Sequence, residues 1–354
     1  MDRLEKFYKN KRVFITGHTG FKGSWLTSVL LRYGAKVIGY SKNDLKRKNY
    51  EGFIEYKKVK NIYSNILDIN NLKSSLKKNR PSIVFHLAAQ SLVSNSYKDP
   101  INTFQTNLIG SANLMDAVRL CSSVRSLVMI TSDKCYYNRE IKRGYKENDI
   151  LGGDDPYSAS KAAAEMAFNA FRKSFFSKNK RIGLATARAG NVIGGGDWSK
   201  DRLIPDCIRT IIKNENLVIR SPSATRPWQH VLEPISGYLI LGKKLYKKPK
   251  IYSGSWNFGP QNNQTKNVKT VAKIVMKIVD KKRKIKMVFK KGDFKESTLL
   301  KLNSNKANKK LKWKTRWTMG NSIKQSAIWY DYYLNKRDVN KITQKQINHY
   351  FNTN

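Results

Sequence analysis

The stretch RVFITGHTGFKGSWL, residues 12–26, carries the clearest indication of the fold. A short apolar strand runs directly into a turn with glycines at positions 17, 20 and 23, and a helical pattern follows. Glycine lets a backbone turn tightly and approach a pyrophosphate, whose charge then meets the N-terminus of the helix. A glycine triplet is also compatible with a plain turn. Its place on the first strand of a strand–helix–strand unit favours a dinucleotide-binding site.

Apolar strands alternate with amphipathic helices through the first half of the chain. The predicted strands are Arg12–Gly17, Ala35–Tyr40, Ser82–Ala89, Ser126–Ser132 and Ile182–Arg188. A helical pattern such as Leu108–Leu120 lies between strands, and this alternation predicts an α/β fold with a doubly wound, parallel, Rossmann-type sheet. After Gly190 the alternation breaks, and helices resume near Val268–Val279 and Ser322–Leu334. We expect a dinucleotide-binding domain over residues 1–190, to which residues of about 225–260 return, and a smaller substrate-binding domain over residues 191–354.

Composition narrows the class of protein. A chain of 354 residues with 40% hydrophobic content can bury a sizeable core. The formal net charge of +44 invites comparison with nucleic-acid-binding proteins, but the excess is mostly lysine spread from end to end. We therefore expect no nucleic-acid partner and interpret most of the charge as solvated surface. Affinity for anionic nucleotide substrates is compatible with the same charge.

Cysteine content and hydropathy indicate the compartment. The three cysteines, Cys121, Cys135 and Cys207, are too few and too scattered for a disulfide framework or a zinc site. The N-terminal stretch lacks a signal-peptide pattern, and nowhere do about eighteen apolar residues run together. We expect a cytoplasmic protein with no metal and no membrane partner.

A second chemical signal lies in DPYSASKAAAE, residues 155–165, where Tyr157 and Lys161 stand four residues apart. On a helix this spacing puts both side chains on one face. A tyrosine with a pKa of about 10 is a poor base at neutral pH, and a nearby ammonium lowers that pKa by favouring the phenolate. The pair can then take a proton from a sugar or alcohol hydroxyl. The spacing alone is also ordinary for a chain rich in lysine and tyrosine.

The glycine turn, Tyr157 with Lys161, and Ser132 at the end of the fourth predicted strand together resemble the extended short-chain dehydrogenase/reductase family over nearly the whole chain. Within it, the segments TGHTGFKGSWL, HLAAQSLV, TSDKCYYN, RAGNVIGGGDW and RPWQHVLEP are most similar to CDP-glucose 4,6-dehydratases. The resemblance implies a lyase that oxidises sugar carbon 4, removes water across carbons 5 and 6, and reduces carbon 6. It also implies a place in deoxysugar biosynthesis, such as that of lipopolysaccharide O-antigen.

The resemblance assigns this chemistry to five residues. Tyr157 is implied as the base for the carbon 4 hydroxyl, with Lys161 lowering its pKa and holding the nicotinamide ribose, and Ser132 bonding the same oxygen. Asp133 is implied as the acid for the departing hydroxyl and Lys134 as the base at carbon 5. Most 4,6-dehydratases carry Asp-Glu where this chain has Asp-Lys. A lysine acts as a base only if its pKa is depressed, which an adjacent aspartate opposes.

The implied cofactor is NAD, held at the carboxyl ends of the strands. The implied contacts are Gly17, Thr19, Gly20, Phe21, Gly23, Asp68, Ile69, Ala88, Ala89, Tyr157 and Lys161. Asp68 is equally suited to cap the helix after it. The second strand ends in Tyr40 and Ser41 rather than the acid usual for NAD, and Asp44 comes late. Nearby basic residues would suit a 2′-phosphate, so the residues alone leave NADP open.

The implied substrate is a nucleotide sugar. Its contacts by resemblance are Gln90, Asn191, Arg202 and Arg226. A planar guanidinium suits a diphosphate, although a single arginine in so basic a chain is also compatible with an ordinary surface position.

Two other functions and the oligomeric state stay open at this point. A nucleotide-sugar epimerase of the same fold has no need of an acid and a base beside Ser132, and a non-catalytic binding protein has no need of Tyr157 and Lys161.

Relatives commonly pair through two helices, here near Asn102–Leu120 and Tyr157–Phe176, which implies a homodimer or homotetramer.

Overall fold

The glycine stretch folds as a strand, a turn and a helix. The structure is a computed structural model that describes residues 3–42, 56–177, 181–260, 265–281, 285–289 and 300–352. In it, helix α1 (Arg3–Tyr8) leads into strand β1 (Arg12–Thr16), the glycine turn and helix α2 (Phe21–Arg32). The backbone N–H of Gly17 donates to the carbonyl of Tyr40 at 2.7 Å, which ties the turn to the next strand.

A parallel sheet forms the centre of the molecule. The further strands are β2 (Lys36–Ser41), β3 (Lys60–Tyr63), β4 (Ile83–His86), β5 (Ser126–Ile130), β6 (Gly183–Arg188), β7 (Val192–Ile193), β8 (Leu217–Ile219), β9 (Thr225–Arg226), β10 (Gln229–His230), β11 (Gly254–Asn257), β12 (Lys266–Asn267) and β13 (Met287–Phe289). Within the described ranges, seven of them form the main sheet in the order β11-β6-β5-β4-β1-β2-β3, all parallel. Ligands of such sheets bind outside the carboxyl ends of the strands where the order reverses, here between β1 and β4.

Helices cover both faces of this sheet. After α2 they are α3 (Ile69–Asn79), α4 (Val93–Lys98), α5 (Pro100–Phe104), α6 (Gly110–Arg119), α7 (Pro156–Phe171), α8 (Leu203–Lys213), α9 (Leu232–Lys247), α10 (Pro249–Tyr252), α11 (Val268–Val279), α12 (Met319–Leu334) and α13 (Val339–Asn352). Wider π-type turns at 105–109 and 172–176 continue α5 and α7. None of the helices in the described part of the chain has the length and hydropathy that a membrane span needs.

Alternate residues of β1 point to opposite faces of the sheet. Val13 and Ile15 are buried in one cluster with residues of α2, α9 and α12. Phe14 is buried in a second cluster with residues of α3, α6 and α7. Burial on both faces explains why the strand is continuously apolar. The doubly wound sheet expected from the sequence is confirmed.

Two of the strands end well before the sequence pattern indicates. β5 ends at Ile130 rather than Ser132, and β4 ends at His86 rather than Ala89. The first residues beyond these strands, Leu87 and Thr131, still donate backbone N–H groups to the neighbouring strands at 3.0 Å, and the regular pairing ends there. β3 was not expected from the sequence, because its four residues are only partly buried and lack a clear apolar pattern.

The chain after β6 forms smaller elements. Three short two-stranded sheets pair β7 with β10, β8 with β13 and β9 with β12. Between them, α9 packs on β5 and β6, and β11 joins the edge of the main sheet beside β6. Segment 254–257 therefore belongs to the main sheet. A division of the chain at residue 190 stays a prediction.

Candidate active site

Ser132, Asp133 and Lys134 form one compact turn at the carboxyl end of β5. The Ser132 hydroxyl donates to Oδ1 of Asp133 at 3.0 Å and accepts from the backbone N–H of Lys134 at 3.2 Å. Ser132 and Asp133 are buried, whereas Lys134 is half-buried. A Cβ on Gly190 would overlap the Asp133 carboxylate, so only glycine leaves room for this acid. The structure thus places a buried carboxyl group directly beneath segment 190–191.

Tyr157 and Lys161 reach the same place from the first turns of α7. Asp155 caps that helix by accepting from the Ser158 N–H at 2.9 Å, which fixes where the helix begins. Both side chains are buried, and Nζ of Lys161 lies 6.0 Å from the centre of the Tyr157 ring. Tyr157 shares a side-chain hydrogen bond with Ser132. Ser132, Asp133, Tyr157 and Lys161 therefore form one group, called here the catalytic cluster.

Burial dominates the electrostatics of this cluster. It raises the pKa of Tyr157 to about 12, although the hydrogen bond with Ser132 and the charge of Arg202 act in the opposite direction. Burial also lowers the pKa of Lys161 to about 8, against the opposing effect of Cys135 and Glu165. The lowering of the Tyr157 pKa by Lys161 that the sequence leads us to expect stays a prediction. For Tyr157, the loss of hydration outweighs the stabilisation of the phenolate by Ser132 and Arg202.

The glycine turn is shaped for close approach of an anion. Gly17 has a φ of +71°, and a Cβ there would lie 2.6 Å from the backbone nitrogen of Ala88. A Cβ on Gly23 would overlap the carbonyl oxygen of Gly17. Gly20 is the N-cap of α2 and offers no side chain to the N–H groups of the first turn. Those donors and the helix dipole suit a diphosphate, so this region fits the expected dinucleotide.

The other expected cofactor contacts surround this turn. Ala88 and Ala89 follow β4, and the Ala88 N–H donates to the Thr16 hydroxyl at 3.3 Å. The Thr19 hydroxyl donates to Ser41 at 3.2 Å, at the end of β2. Phe21 packs against Gly194, on the other side of the crevice.

Asp68 has a structural task in addition to any ligand. Its Oδ1 caps α3 by accepting from the Asn71 N–H at 2.9 Å, and Ile69 is the first residue of that helix. The capping alternative is therefore present, and the adenine contact stays a prediction. Asp44, the late acid after β2, lies outside the described residues.

The expected substrate residues divide into two groups. Asn191 and Arg202 lie beside the catalytic cluster: Asn191 follows Gly190, and Arg202 acts electrostatically on Tyr157. Arg202 also pairs with the buried Asp197 at 2.8 Å. Arg226 lies on β9 and donates to the carbonyl of Thr225 at 3.0 Å. Gln90 uses its amide within the chain, with Leu92 and Thr103, so its contact with substrate stays a prediction.

A buried ion pair supports the cluster from below. Arg188 and Glu165 meet at 2.7 Å, and Glu165 also accepts from Thr131 at 2.6 Å and from Thr186 at 2.9 Å. Arg188 donates to the Tyr136 hydroxyl at 2.6 Å. These five residues, called here the paired network, hold both ends of the turn 132–135. The sequence motifs alone do not indicate this network, because its members come from three separate stretches of the chain, 131–136, 165 and 186–188.

Lys22 is the functional candidate that motif reasoning missed. It lies in the first turn of α2, and its ammonium interacts electrostatically with Asp133, Lys161, Asp197 and Arg202. Burial, reinforced by the Arg202 charge, lowers its pKa to about 8. The available signal was a lysine within the glycine stretch itself, at a position where the chain turns toward the site.

The geometry and the sequence both match a known family. A sequence model of the GDP-mannose 4,6 dehydratase family matches residues 14–326, which include the glycine turn and the whole catalytic cluster. The chain belongs to this family. Its members share the extended short-chain dehydrogenase/reductase organisation expected from the sequence.

The chain is also similar to individual 4,6-dehydratases. The chain is 41% identical to a CDP-glucose 4,6-dehydratase of Salmonella typhimurium, over 98% of both chains. It is 27% identical to a dTDP-D-glucose 4,6-dehydratase of Dictyostelium discoideum, over 66% of this chain and 56% of that one.

Solved structures of similar proteins support the fold. An epimerase from Methanothermobacter thermautotrophicus superimposes with a TM-score of 0.80 at 23% identity, covering 97% of this chain and 96% of its own. A dTDP-glucose 4,6-dehydratase from Bacillus anthracis, solved in complex with NAD, gives 0.73 at 20% identity, covering 91% and 96%. At these identities the likeness extends to the family fold alone.

Proposed function

We propose that the protein is an NAD-dependent CDP-glucose 4,6-dehydratase, which converts CDP-D-glucose to CDP-4-dehydro-6-deoxy-D-glucose. One observation carries the proposal: a buried carboxyl group, Asp133, lies in the same turn as Ser132, which bonds Tyr157. Oxidation alone requires only the tyrosine, the lysine and a hydroxyl. The additional acid suits elimination of water, and the 41% identity to a CDP-glucose 4,6-dehydratase supports the same reaction.

The first step takes a proton from the hydroxyl on sugar carbon 4. Tyr157 accepts that proton as a phenolate, and Ser132 bonds the same oxygen. Because burial raises the pKa of Tyr157 to about 12, the phenolate depends on the cations nearby, of which Arg202 lowers that pKa. Bound NAD supplies the redox chemistry, oxidation at carbon 4 and reduction at carbon 6.

Elimination uses the other residues of the turn. Lys134 removes the proton from carbon 5, and Asp133 donates a proton to the hydroxyl that leaves carbon 6 as water. The double bond between carbons 5 and 6 forms as the bond between carbon 6 and its oxygen breaks, so no charge is left on the sugar. When the hydride returns to carbon 6, Lys134 gives the proton back to carbon 5. The half-buried position of Lys134 beside Ser132 supports its assignment.

Binding is divided between two parts of the chain. Residues 1–190, with the returning segment of about 225–260, bind NAD through the glycine turn, Asp68 with Ile69, and Ala88 with Ala89. Residues 191–354 mainly bind the nucleotide sugar, through Asn191, Arg202 and Arg226, with Gln90 contributing from the first part. The proximity of Arg202 to Tyr157 supports a substrate that spans both parts.

The protein acts as a cytoplasmic homodimer or homotetramer in the synthesis of a deoxysugar for lipopolysaccharide O-antigen. Its cysteines are free and buried, which suits a reducing compartment. Exposed apolar side chains on the two helical segments expected to pair support self-association. They are Ile109 and Leu120 within Asn102–Leu120, and Met166 and Phe175 within Tyr157–Phe176.

The test is an incubation of the purified protein with CDP-glucose, dTDP-glucose, UDP-glucose and GDP-mannose, with and without added NAD. Mass spectrometry and the absorbance of the 4-keto sugar in alkali report the product. Loss of one water from CDP-glucose alone is the expected result. Turnover of a different sugar would overturn the substrate, inversion at carbon 4 without loss of water would indicate an epimerase, and no reaction with any sugar would refute the dehydratase.

A further inference from the structure

The first turn of α2 is anchored on the segment that carries Asp197 and Arg202. The Phe21 ring lies 3.2 Å from the position that a Cβ on Gly194 would take. One helical turn later, Nε1 of Trp25 donates to the carbonyl of Gly195 at 2.9 Å. Lys22 lies between these two anchors in sequence. Its backbone is therefore held at the boundary between the glycine turn and segment 194–202.

The charges around Lys22 leave positive charge in excess. Asp133 and Asp197 attract its ammonium, whereas Lys161 and Arg202 repel it. Asp197 is already paired with Arg202 at 2.8 Å. These described groups are three cations and two carboxylates, and one of the carboxylates, Asp197, already forms an ion pair.

The ammonium also lacks a close protein acceptor. Among the described residues, no carboxylate or carbonyl accepts a hydrogen bond from Nζ of Lys22. Its side chain is half-buried, so water satisfies it only in part. A charge taken partly out of water without a hydrogen-bonded partner is unfavourable, and an anion that enters the crevice removes that penalty.

We propose that Lys22 binds the diphosphate of the nucleotide sugar and, together with Arg202, holds it between the glycine turn and segment 194–202. This inference rests on the proposed function and adds a specific substrate contact to it. The substrate is favoured over the cofactor because the neighbours of Lys22 are Asp133 and Arg202, which face the sugar in the proposed reaction. The pyrophosphate of the cofactor has its own donors, the uncapped N–H groups of α2.

The experiment compares Lys22→Met with Lys22→Arg and with Lys77→Met, a matched loss of one exposed lysine on α3. Calorimetry measures the affinity of each protein, with its bound NAD, for CDP, CMP and cytidine. Lys22→Met is expected to weaken CDP binding about tenfold or more, as for one hydrogen bond between charged groups, with little change for cytidine. Lys22→Arg should restore most of the affinity, and Lys77→Met should match the wild type.

Two outcomes would overturn the inference. If Lys22→Met loses NAD while its affinity for CDP is unchanged, the lysine serves the cofactor. If CDP binding is unchanged and only kcat falls, Lys22 acts in the chemistry. Thermal unfolding of each variant identifies a simple loss of folding, in which case Lys22→Arg decides. Because binding is measured without turnover, a wild type that binds CDP but dehydrates no sugar refutes the proposed reaction and leaves the Lys22 test intact.

Discussion

Lys161 and Glu165 are one turn apart on α7, yet they belong to two buried regions with opposite designs. In the paired network, the Glu165 carboxylate accepts from Arg188 and two threonines, and its pKa is below its usual value even though burial acts to raise it. In the catalytic cluster, no carboxylate of the described residues forms an ion pair with Lys161, and burial lowers its pKa to about 8. Buried charges that are paired within the protein therefore support the site, whereas buried charges with fewer protein partners are available to bind a ligand.

Replacement of Tyr157 tests the cluster with the largest expected effect. Tyr157→Phe removes the proton acceptor, so kcat should fall about 10²- to 10⁴-fold, as for loss of one general base. Because the ring remains, the free energy of unfolding should change little. Steady-state kinetics and urea denaturation measure both. A stability loss as large as the kinetic one would mean that the cluster, like the paired network, is mainly structural.

Replacement of Glu165 tests the paired network. Glu165→Gln leaves the buried Arg188 guanidinium without its counter-charge, and should lower the free energy of unfolding by about 3–5 kcal/mol. Urea denaturation measures the loss. The double variant Glu165→Gln with Arg188→Met is the control, and it should recover part of the stability. A loss below about 1 kcal/mol would contradict the view that this pair supports the turn 132–135.

The pH dependence of stability tests whether the buried charge of Lys161 is unfavourable for folding. Between pH values of about 8 and 10.5, the unfolded chain holds more of the proton on Lys161 than the folded protein does, because burial lowers the folded pKa. The free energy of unfolding therefore rises with pH in this window. Between pH 8 and about 9.5, the wild type should gain about 1–2 kcal/mol relative to Lys161→Met. Parallel curves for the two proteins would show that Lys161 is charged without penalty.

An exposed ion pair supplies the smallest effect. Asp116 on α6 contacts Lys73 at 2.8 Å and Arg119 at 2.6 Å, with its side chain partly exposed. Asp116→Asn should lower the free energy of unfolding by less than about 1 kcal/mol, because solvent screens such pairs. The same denaturation assay gives the value. A loss comparable to that of Glu165→Gln would remove the distinction between paired charges inside and outside the core.

Much of the fold could be predicted from local patterns. The glycine stretch and the apolar runs gave β1, β2, β4, β5 and β6 because each strand is buried on both faces. The ends of strands were harder to predict, since Thr131 and Ser132 lie beyond the end of β5 but are buried like the strand itself. β3 was not predicted because its side chains are only partly buried and show no clear apolar pattern.

The site was predictable where one segment carries the signal. Ser132 with Asp133, and Tyr157 with Lys161, are local patterns, and the structure brings them together. The position of Lys22 depends on packing between α2 and segment 194–202, and the pairing of Glu165 with Arg188 joins a helix to a strand. Spacing indicates that a charge lies near Tyr157 but not how deeply the residue is buried, and burial is what raises its pKa.

The turn that carries Asp133 and Lys134 also contains a cysteine whose rate of chemical labelling reports how often the turn opens. Cys135 is the next residue, and its thiol is fully buried, so burial holds its pKa far above the usual range. A thiol-reactive reagent can label it only when the turn opens, since the thiolate is the reactive form. The labelling rate of this one sulfur therefore records how often the acid and base of the site come apart. Ligands that close the crevice should slow that rate in proportion to their occupancy.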